Sequence, residues 1–586
     1  MATRAARKRS KPLGSQEPFT PPARTHDLDF RLQRLAWEPV LFAEQPRRWE
    51  LMQLPVGRCS RTLHLQIHRN HGFESTASVS APFLAWGDWQ TQLSYSDYDD
   101  SLSFRVAGPA DVEVIWLDYS RYFARTSAPE FAAWLRQRVL ALRQLTESPI
   151  VLPNWPEDPA YSRAVQESLA DPVVPGLLVG SLEAIRANLG GRFLDERVSP
   201  LSGSRLSDAA SILIGRELAC RWIPAAVAPR LKAVVVDLDD TLFAGVLGED
   251  GPQGVVLTSG HRSLQTYLLD LRRGGLFLAL VSRNEERDVQ ELFARRTDFP
   301  LRWEDFSARQ IGWTSKAESL AKIAEVLRVG MEAILYVDDN PGELTTLAQS
   351  YPELRLIHAT RDAMLNRRVL EYFPGIWSRE DTGADFLRVQ DLDANTQRLA
   401  IQSQAASSAE YLHSLQVALV FRLNHRAALR RIHELSHKTN QFNLALKRFN
   451  EPEIERRFQS PGSRVVTMRL ADRLSDSGII GVLLAKEEAD AIVVDELCIS
   501  CRALGRGLED IMVAKALDTA WPEWPSKALI FEQATGLRND VARQWLRRVA
   551  GNGWDAGGSR IQVPLQFLEP RPEDALLKIS MERTDE

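Results

Sequence analysis

Asp237 and Asp239 stand two residues apart where the apolar run Val234-Val235-Val236 ends. Read as a strand, that run sends both carboxylates to one face, and the turn after it exposes backbone N–H groups able to cradle a phosphate. Comparable groups recur downstream. Ser282, with Arg283 and Asn284, closes a second apolar run; Lys316 opens a helical segment; Asp338 and Asp339 close a third run, Tyr336-Val337-Asp338-Asp339-Asn340-Pro341. A hydroxyl, an ammonium and several carboxylates thus meet at one sheet edge. The carboxylates repel one another, so a divalent cation is needed to hold them together, and an all-oxygen donor set suits Mg2+. A simpler alternative is an acidic turn that only caps a strand. Four pieces in order, each at a strand end or a helix start, argue against it.

The elements that must position these groups are legible as alternating patterns. Residues 233–238, 276–281 and 333–337 read as strands, and 262–273 and 316–327 as helices. Near-continuous apolar strands separated by helices predict a parallel sheet covered on both faces, whose site lies beyond the carboxyl ends of its strands. Upstream, strand patterns at 110–116 and 149–152 and helical ones at 129–146 and 208–222 predict another α/β unit. Downstream, a helix at 427–436 precedes strands at 465–470, 478–484 and 491–497, a glycine turn, a helix at 507–520 and a strand at 528–531.

The chain has 586 residues, 44% of them hydrophobic and 25% charged, which excludes collagen-like and wholly disordered readings. Its 72 Lys+Arg against 77 Asp+Glu give a net charge of -5 and no general pull towards nucleic acid or anionic membranes. No apolar run reaches the roughly 18–20 residues of a membrane span. Four cysteines, Cys59, Cys220, Cys498 and Cys501, are too few for a disulfide framework, so a cytoplasmic, reducing location is expected.

The four pieces resemble the haloacid-dehalogenase (HAD) phosphatase superfamily: D-x-D-x-T at Asp237, Asp239 and Thr241, then Ser282, Lys316 and the acidic pair Asp338-Asp339. The resemblance implies that Asp237 attacks phosphorus and that Asp239 is general acid and then base. Thr241, Ser282, Arg283, Asn284 and Lys316 would bind phosphate. Asp237, Asp239 and the pair Asp338/Asp339 would hold Mg2+, with Asp339 preferred over Asp338. The intervals from Asp237 to Ser282 and from Ser282 to Lys316, 45 and 34 positions, leave no room for a full cap domain.

A narrower resemblance runs over about residues 195–555. Asp237-Leu-Asp-Asp-Thr-Leu-Phe-Ala-Gly-Val-Leu-Gly-Glu-Asp-Gly251 is similar to the signature of the FkbH family, with Asp240, Phe243 and Ala244 departing from its Asn, Trp and Gly. Lys438-Thr-Asn-Gln-Phe-Asn443, Asp472-Arg-Leu-Ser-Asp-Ser-Gly-Ile-Ile-Gly481 and Ser500-Cys-Arg-Ala-Leu-Gly-Arg-Gly-Leu-Glu509 match its later segments. The resemblance implies removal of phosphate from a three-carbon acyl phosphate such as D-1,3-bisphosphoglycerate. The acyl group would then load onto the phosphopantetheine thiol of an acyl carrier protein, for polyketide-type biosynthesis. The departures spare the phosphate chemistry and leave the acyl group open.

Arg502-x-x-Gly505-x-Gly507 between a strand and a helix resembles the pyrophosphate loop of GNAT acyltransferases, and a helix opening there would bind phosphate. Arg502, Gly505 and Gly507, with Asn440, Gln441 and Asn443, are candidate contacts to the acyl group or pantetheine. Cys501, beside Arg502 and an expected helix N-terminus, is a candidate acyl-enzyme nucleophile; a small buried residue is the competing reading.

The expected organisation is therefore a basic tail at 1–25 and a non-catalytic SGNH-hydrolase-like α/β domain at 26–228, its G-D-S signature being missing. A central HAD-like (Rossmannoid) parallel-sheet domain follows at 229–375, then a linker at 376–400 and a GNAT-like α+β domain at 401–586. Two other readings stay open: a stand-alone Mg-dependent phosphohydrolase of a small metabolite, and a non-catalytic assembly protein.

Overall fold

The computed structural model describes residues 25–57, 59–104, 108–378, 384–405, 407–524, 526–536, 538–569 and 575–583. The tail expected over 1–25 lies, Thr25 apart, outside them. Three sheets organise the chain. The first is wholly parallel, order β2-β1-β3-β4-β5, with β1 Arg61–Arg69, β2 Trp89–Tyr98, β3 Val112–Trp116, β4 Ile150–Asn154 and β5 Leu177–Ser181. The second, also parallel, has order β10-β9-β6-β7-β8: β6 Ala233–Val236, β7 Phe277–Ser282, β8 Ala308–Ile311, β9 Ile334–Asp338 and β10 Arg355–His358.

The third sheet is mixed, order β16-β15-β14-β13-β12-β11-β17. Its strands are β11 Ala418–Leu423, β12 Ser463–Ala471, β13 Asp476–Glu487, β14 Ala491–Ile499, β15 Ala528–Glu532, β16 Arg560–Val563 and β17 Lys578–Arg583. Its long central strands pair antiparallel. The chain is thus a multidomain α/β protein with a central Rossmannoid sheet. Among the described residues no helix is long and apolar enough to cross a membrane.

The central sheet forms because its strands are apolar on both sides. Every residue of β6, β7 and β9 is buried, as expected for parallel strands covered by helices on both faces. Helix starts carry side-chain caps. Ser315 accepts the Glu318 N–H at the head of helix Lys316–Leu327, and Asn340 accepts the Gly342 and Glu343 N–H groups at the head of Pro341–Ser350. In this strand order the direction of winding reverses between β6 and β9. A crevice opens at such a switch point beyond the carboxyl ends of the strands, so the residues that close β6 and β9 share one mouth.

Residues 376–400 are not the linker the sequence suggested. Helix Ala384–Gln404 runs through most of them, and Asp391 and Arg398 on it are buried against the third sheet. The charged pattern that read as solvated is instead neutralised inside: Arg398 pairs with Asp391 and Asp472, and Arg506 with the same two carboxylates.

Candidate active site

Asp237 follows β6 directly, and its N–H donates to the carbonyl of Val337 in β9. Its side chain is 9% exposed and its carboxylate lies 3.1 Å from the ammonium of Lys316, which contacts Asp338 at 2.5 Å. One carboxylate oxygen each from Asp237, Asp338 and Asp339 falls within 4.8 Å of the others. Asp338 is fully engaged. Besides Lys316 it accepts the Tyr336 hydroxyl at 2.9 Å and the Asn340 N–H at 2.9 Å. Asp339 is half-buried, and among the described residues its carboxylate makes no ion pair.

Asp239 is oriented from two sides. It accepts the Leu247 N–H at 2.8 Å, at the start of helix Leu247–Gly254, and the Asn284 amide at 2.7 Å. The Asn284 amide also donates to the Ser282 hydroxyl at 2.9 Å. Asp240 adopts a left-handed backbone, φ 47°, and accepts the Gly245 N–H. Asn and Asp tolerate that conformation best after glycine, so Asp240 suits this turn. Thr241 is fully buried, and its hydroxyl has no partner among the described residues. Arg283 pairs with Glu343 at 2.7 Å on the helix after the acidic pair.

Burial, reinforced by the neighbouring Asp338, raises the Asp237 carboxyl above the usual carboxylate range, with Lys316 opposing. Burial also raises Asp239, against the Leu247 and Asn284 donors. It raises Asp339 too, with Asp338 adding to the effect. For Lys316 burial acts downward, but Asp237 and Asp338 outweigh it and hold the ammonium charged. Three carboxylates against one ammonium leave the cluster short of positive charge. Hard oxygen donors and an orphaned buried hydroxyl beside them fit a small divalent cation and a phosphoryl group.

Asp237, Lys316, Asp338 and Asp339 therefore converge, Asn284 links Asp239 to Ser282, Thr241 lies buried in the turn that carries Asp239, and Arg283 is held by Glu343. Tyr336 is the member the sequence reading missed. Two residues before Asp338 on β9, it shares that residue's face by strand periodicity, and this spacing could have revealed it.

The second group of candidates lies elsewhere. Asn440, Gln441, Cys501 and Arg502 line a cleft that also touches Lys232, Phe277 and Gly330. Those three precede or begin β6, β7 and β9, at the end of the central sheet opposite Asp237. Five residues of strand, about 17 Å at 3.3 Å per residue, separate Lys232 from Asp237. The structure thus does not bring Cys501 to the aspartates as a nucleophile towards the same bound substrate. Nor is Cys501 at a helix N-terminus. Gly505 and Gly507, φ 78° and 70°, carry the chain through turns, and the helix begins at Glu509. The Gly505 N–H is taken by the Glu509 side chain, and neither glycine lines the cleft. Asn443 is a correction of the same kind: fully buried, it donates to the Ser436 and Thr439 carbonyls and accepts the Leu446 N–H. It braces the loop rather than facing a ligand.

No family model and no curated protein matches the chain. Among solved structures it is similar to the N-terminal part of a Bacteroides fragilis protein containing a phosphatase domain, complexed with Mg: 18% identity, TM-score 0.44, over 58% of this chain and 96% of that one. A Streptomyces avermitilis protein named as a HAD family hydrolase matches at 19% identity and TM-score 0.19, over 25% of this chain and 91% of that one. A GCN5-related glucosamine N-acetyltransferase region of a fungal multi-domain β-N-acetylglucosaminidase matches at 12% identity and TM-score 0.18, over 90% of this chain and 68% of that one.

Proposed function

We propose that this chain is a Mg2+-dependent phosphohydrolase of the HAD type. The observation that carries the reading is the cluster of Asp237, Asp338, Asp339 and Lys316 at the switch point of the central sheet, with Asp239 held beside it. The Asp237 carboxylate attacks phosphorus while the protonated Asp239, raised by burial, delivers its proton to the departing oxygen. Asp239, now ionised, takes a proton from the water that hydrolyses the aspartyl-phosphate. Lys316 neutralises charge on the phosphoryl oxygens, and Ser282 and Thr241 offer hydroxyls. Asp237 and Asp339 would hold the cation, since Asp338 is spent on Lys316 and Tyr336. Bound Mg2+ supplies positive charge to the phosphoryl oxygens and relieves repulsion among the carboxylates.

Removing divalent cations with EDTA is expected to lower phosphate release at least about a hundredfold, with Mg2+ restoring it. An EDTA-treated chain that kept its full rate on acyl phosphates and phosphate esters would sink the reading.

A finer reading is carrier loading: a thiol attacks the carbonyl carbon of a three-carbon acyl phosphate such as D-1,3-bisphosphoglycerate, phosphate leaves as the thioester forms, the acyl group passes to the phosphopantetheine thiol of an acyl carrier protein, and the aspartate site hydrolyses the phosphate ester that remains. The Cys501 cleft, with the Asn440 and Gln441 amides beside it, favours this. Because the two sites lie at opposite ends of the sheet, Cys501→Ala is expected to leave phosphate release within about twofold while abolishing the acyl mass gain of the carrier. Intact-mass spectrometry of carrier incubated with donor and Mg2+ reads the second effect, and undiminished loading removes Cys501 from the reaction.

A further inference from the structure

A second cleft opens between the first sheet and the central sheet, at the end of the latter opposite the aspartates. Four guanidinium groups line it. Arg31 and Arg34 come from helix Thr25–Leu35, Arg61 begins β1, and Arg355 begins β10. Their charges are unequally matched. Arg34 pairs with Asp88 at 2.8 Å. Among the described residues the Arg31 guanidinium hydrogen-bonds to carbonyls, those of Ala348 at 3.1 Å and Leu354 at 2.6 Å. Arg355 pairs through its backbone with β9, but its guanidinium makes no hydrogen bond or ion pair with any described residue. The one carboxylate among the lining residues, Glu332, is already held by Arg538 and by the Asn440 amide.

Burial and then Arg61 push the Arg355 guanidinium down to about 10, with Asp88 opposing. Burial and then Arg34 lower Arg31. Two guanidiniums, those of Arg31 and Arg355, therefore stand at one cleft with no carboxylate among the described residues paired to either. Such a gathering is costly until an anion enters it. Planar guanidinium forks fit phosphate oxygens in pairs, and the walls formed by Trp86, Trp89 and Phe373 leave an apolar flank for an organic portion.

We propose that this cleft binds a phosphate-bearing small molecule, with Arg355 and Arg31 holding the phosphate at a site separate from the catalytic aspartates. The test is calorimetric titration of the full chain with pyrophosphate, inorganic phosphate and ADP, each in EDTA so that the aspartate site lacks its cation. Saturable binding is expected, weakened at least about tenfold in Arg355→Gln and partly in Arg355→Lys, which keeps the charge and loses the fork. Asp237→Asn should bind as the native chain does. Tighter binding of ADP than of pyrophosphate identifies a nucleotide-like ligand, and equal affinity identifies recognition of the phosphate alone. No saturable binding of any of the three, or an Arg355→Gln chain that binds as tightly as the native one, overturns the proposal. Circular dichroism of both Arg355 variants separates lost binding from lost folding.

Discussion

Replacing Asp237 by Asn is expected to lower phosphate release at least about 10⁴-fold while the chain stays folded. The amide has nearly the same shape but cannot act as the nucleophile, so no aspartyl-phosphate forms. The fold should tolerate the change because Asp237 is a strained tenant. It is buried beside Asp338, and that neighbour and burial together raise its carboxyl above the ordinary range. Removing its charge leaves Lys316 paired with Asp338 at 2.5 Å, a balanced couple. The sign of the pH dependence follows. A carboxyl raised in the folded state contributes stability that is full below its unfolded value, about 3.9, and is lost as pH rises through the folded one. In EDTA the native chain should therefore lose thermal stability as pH rises above the usual carboxylate range, and Asp237→Asn should flatten that part of the curve. Retained turnover in the variant would falsify the nucleophile assignment; an equally steep stability curve would show that Asp237 is not the titrating group.

The catalytic end of the central sheet was legible because its parts are written locally. A carboxylate or hydroxyl closing an apolar strand is visible in a few consecutive residues, and the parallel topology gathers strand ends whatever the spacing between them. Asp237, Ser282 and Asp338 could thus be placed together from 233–238, 276–281 and 333–337 alone. What failed depended on contacts across long sequence separations or on backbone detail. Arg398 finds Asp472 over a separation of 74 residues, and Arg506 finds Asp391 over 115. Nothing local marks those charges as buried, so their segment read as a solvated connector. Cys501 was assigned to a helix start because its motif has the right residue types. Two glycines with positive φ delay the helix to Glu509, and sequence spacing alone does not distinguish a loop that opens a helix from one that turns twice first.

Arg398→Met tests what helix Ala384–Gln404 does in this fold. Arg398 is 1% exposed and grips Asp472 in a fork, at 2.8 and 3.1 Å, while a third guanidinium contact reaches Asp391 at 3.0 Å. Arg506 closes the ring, at 3.2 Å from each of the same carboxylates. Two guanidiniums and two carboxylates balance. Burial raises the Asp391 carboxyl, but Arg506 and then Arg398 outweigh it, so the net shift is downward. Its contribution to stability is present above the unfolded carboxylate value and is lost as pH falls through the folded one. Truncating Arg398 leaves one buried carboxylate short of a partner, a change that costs about 3–5 kcal/mol. The melting transition of the third sheet should fall by about 10 °C or more. Because apolar replacement of a whole buried pair is often neutral, Arg398→Met combined with Asp472→Leu should recover most of that loss, leaving Arg506 with Asp391. A double variant as unstable as the sum of its parts would mean that the ring is not what holds helix Ala384–Gln404 in place. That helix carries Asp391, Leu392 and Asn395 into the wall of the Cys501 cleft, whereas the aspartates lie at the far end of the central sheet. Below its lowered transition, Arg398→Met should accordingly release phosphate at the native rate while carrier loading falls, an uncoupling that a disturbance of the aspartate site could not produce.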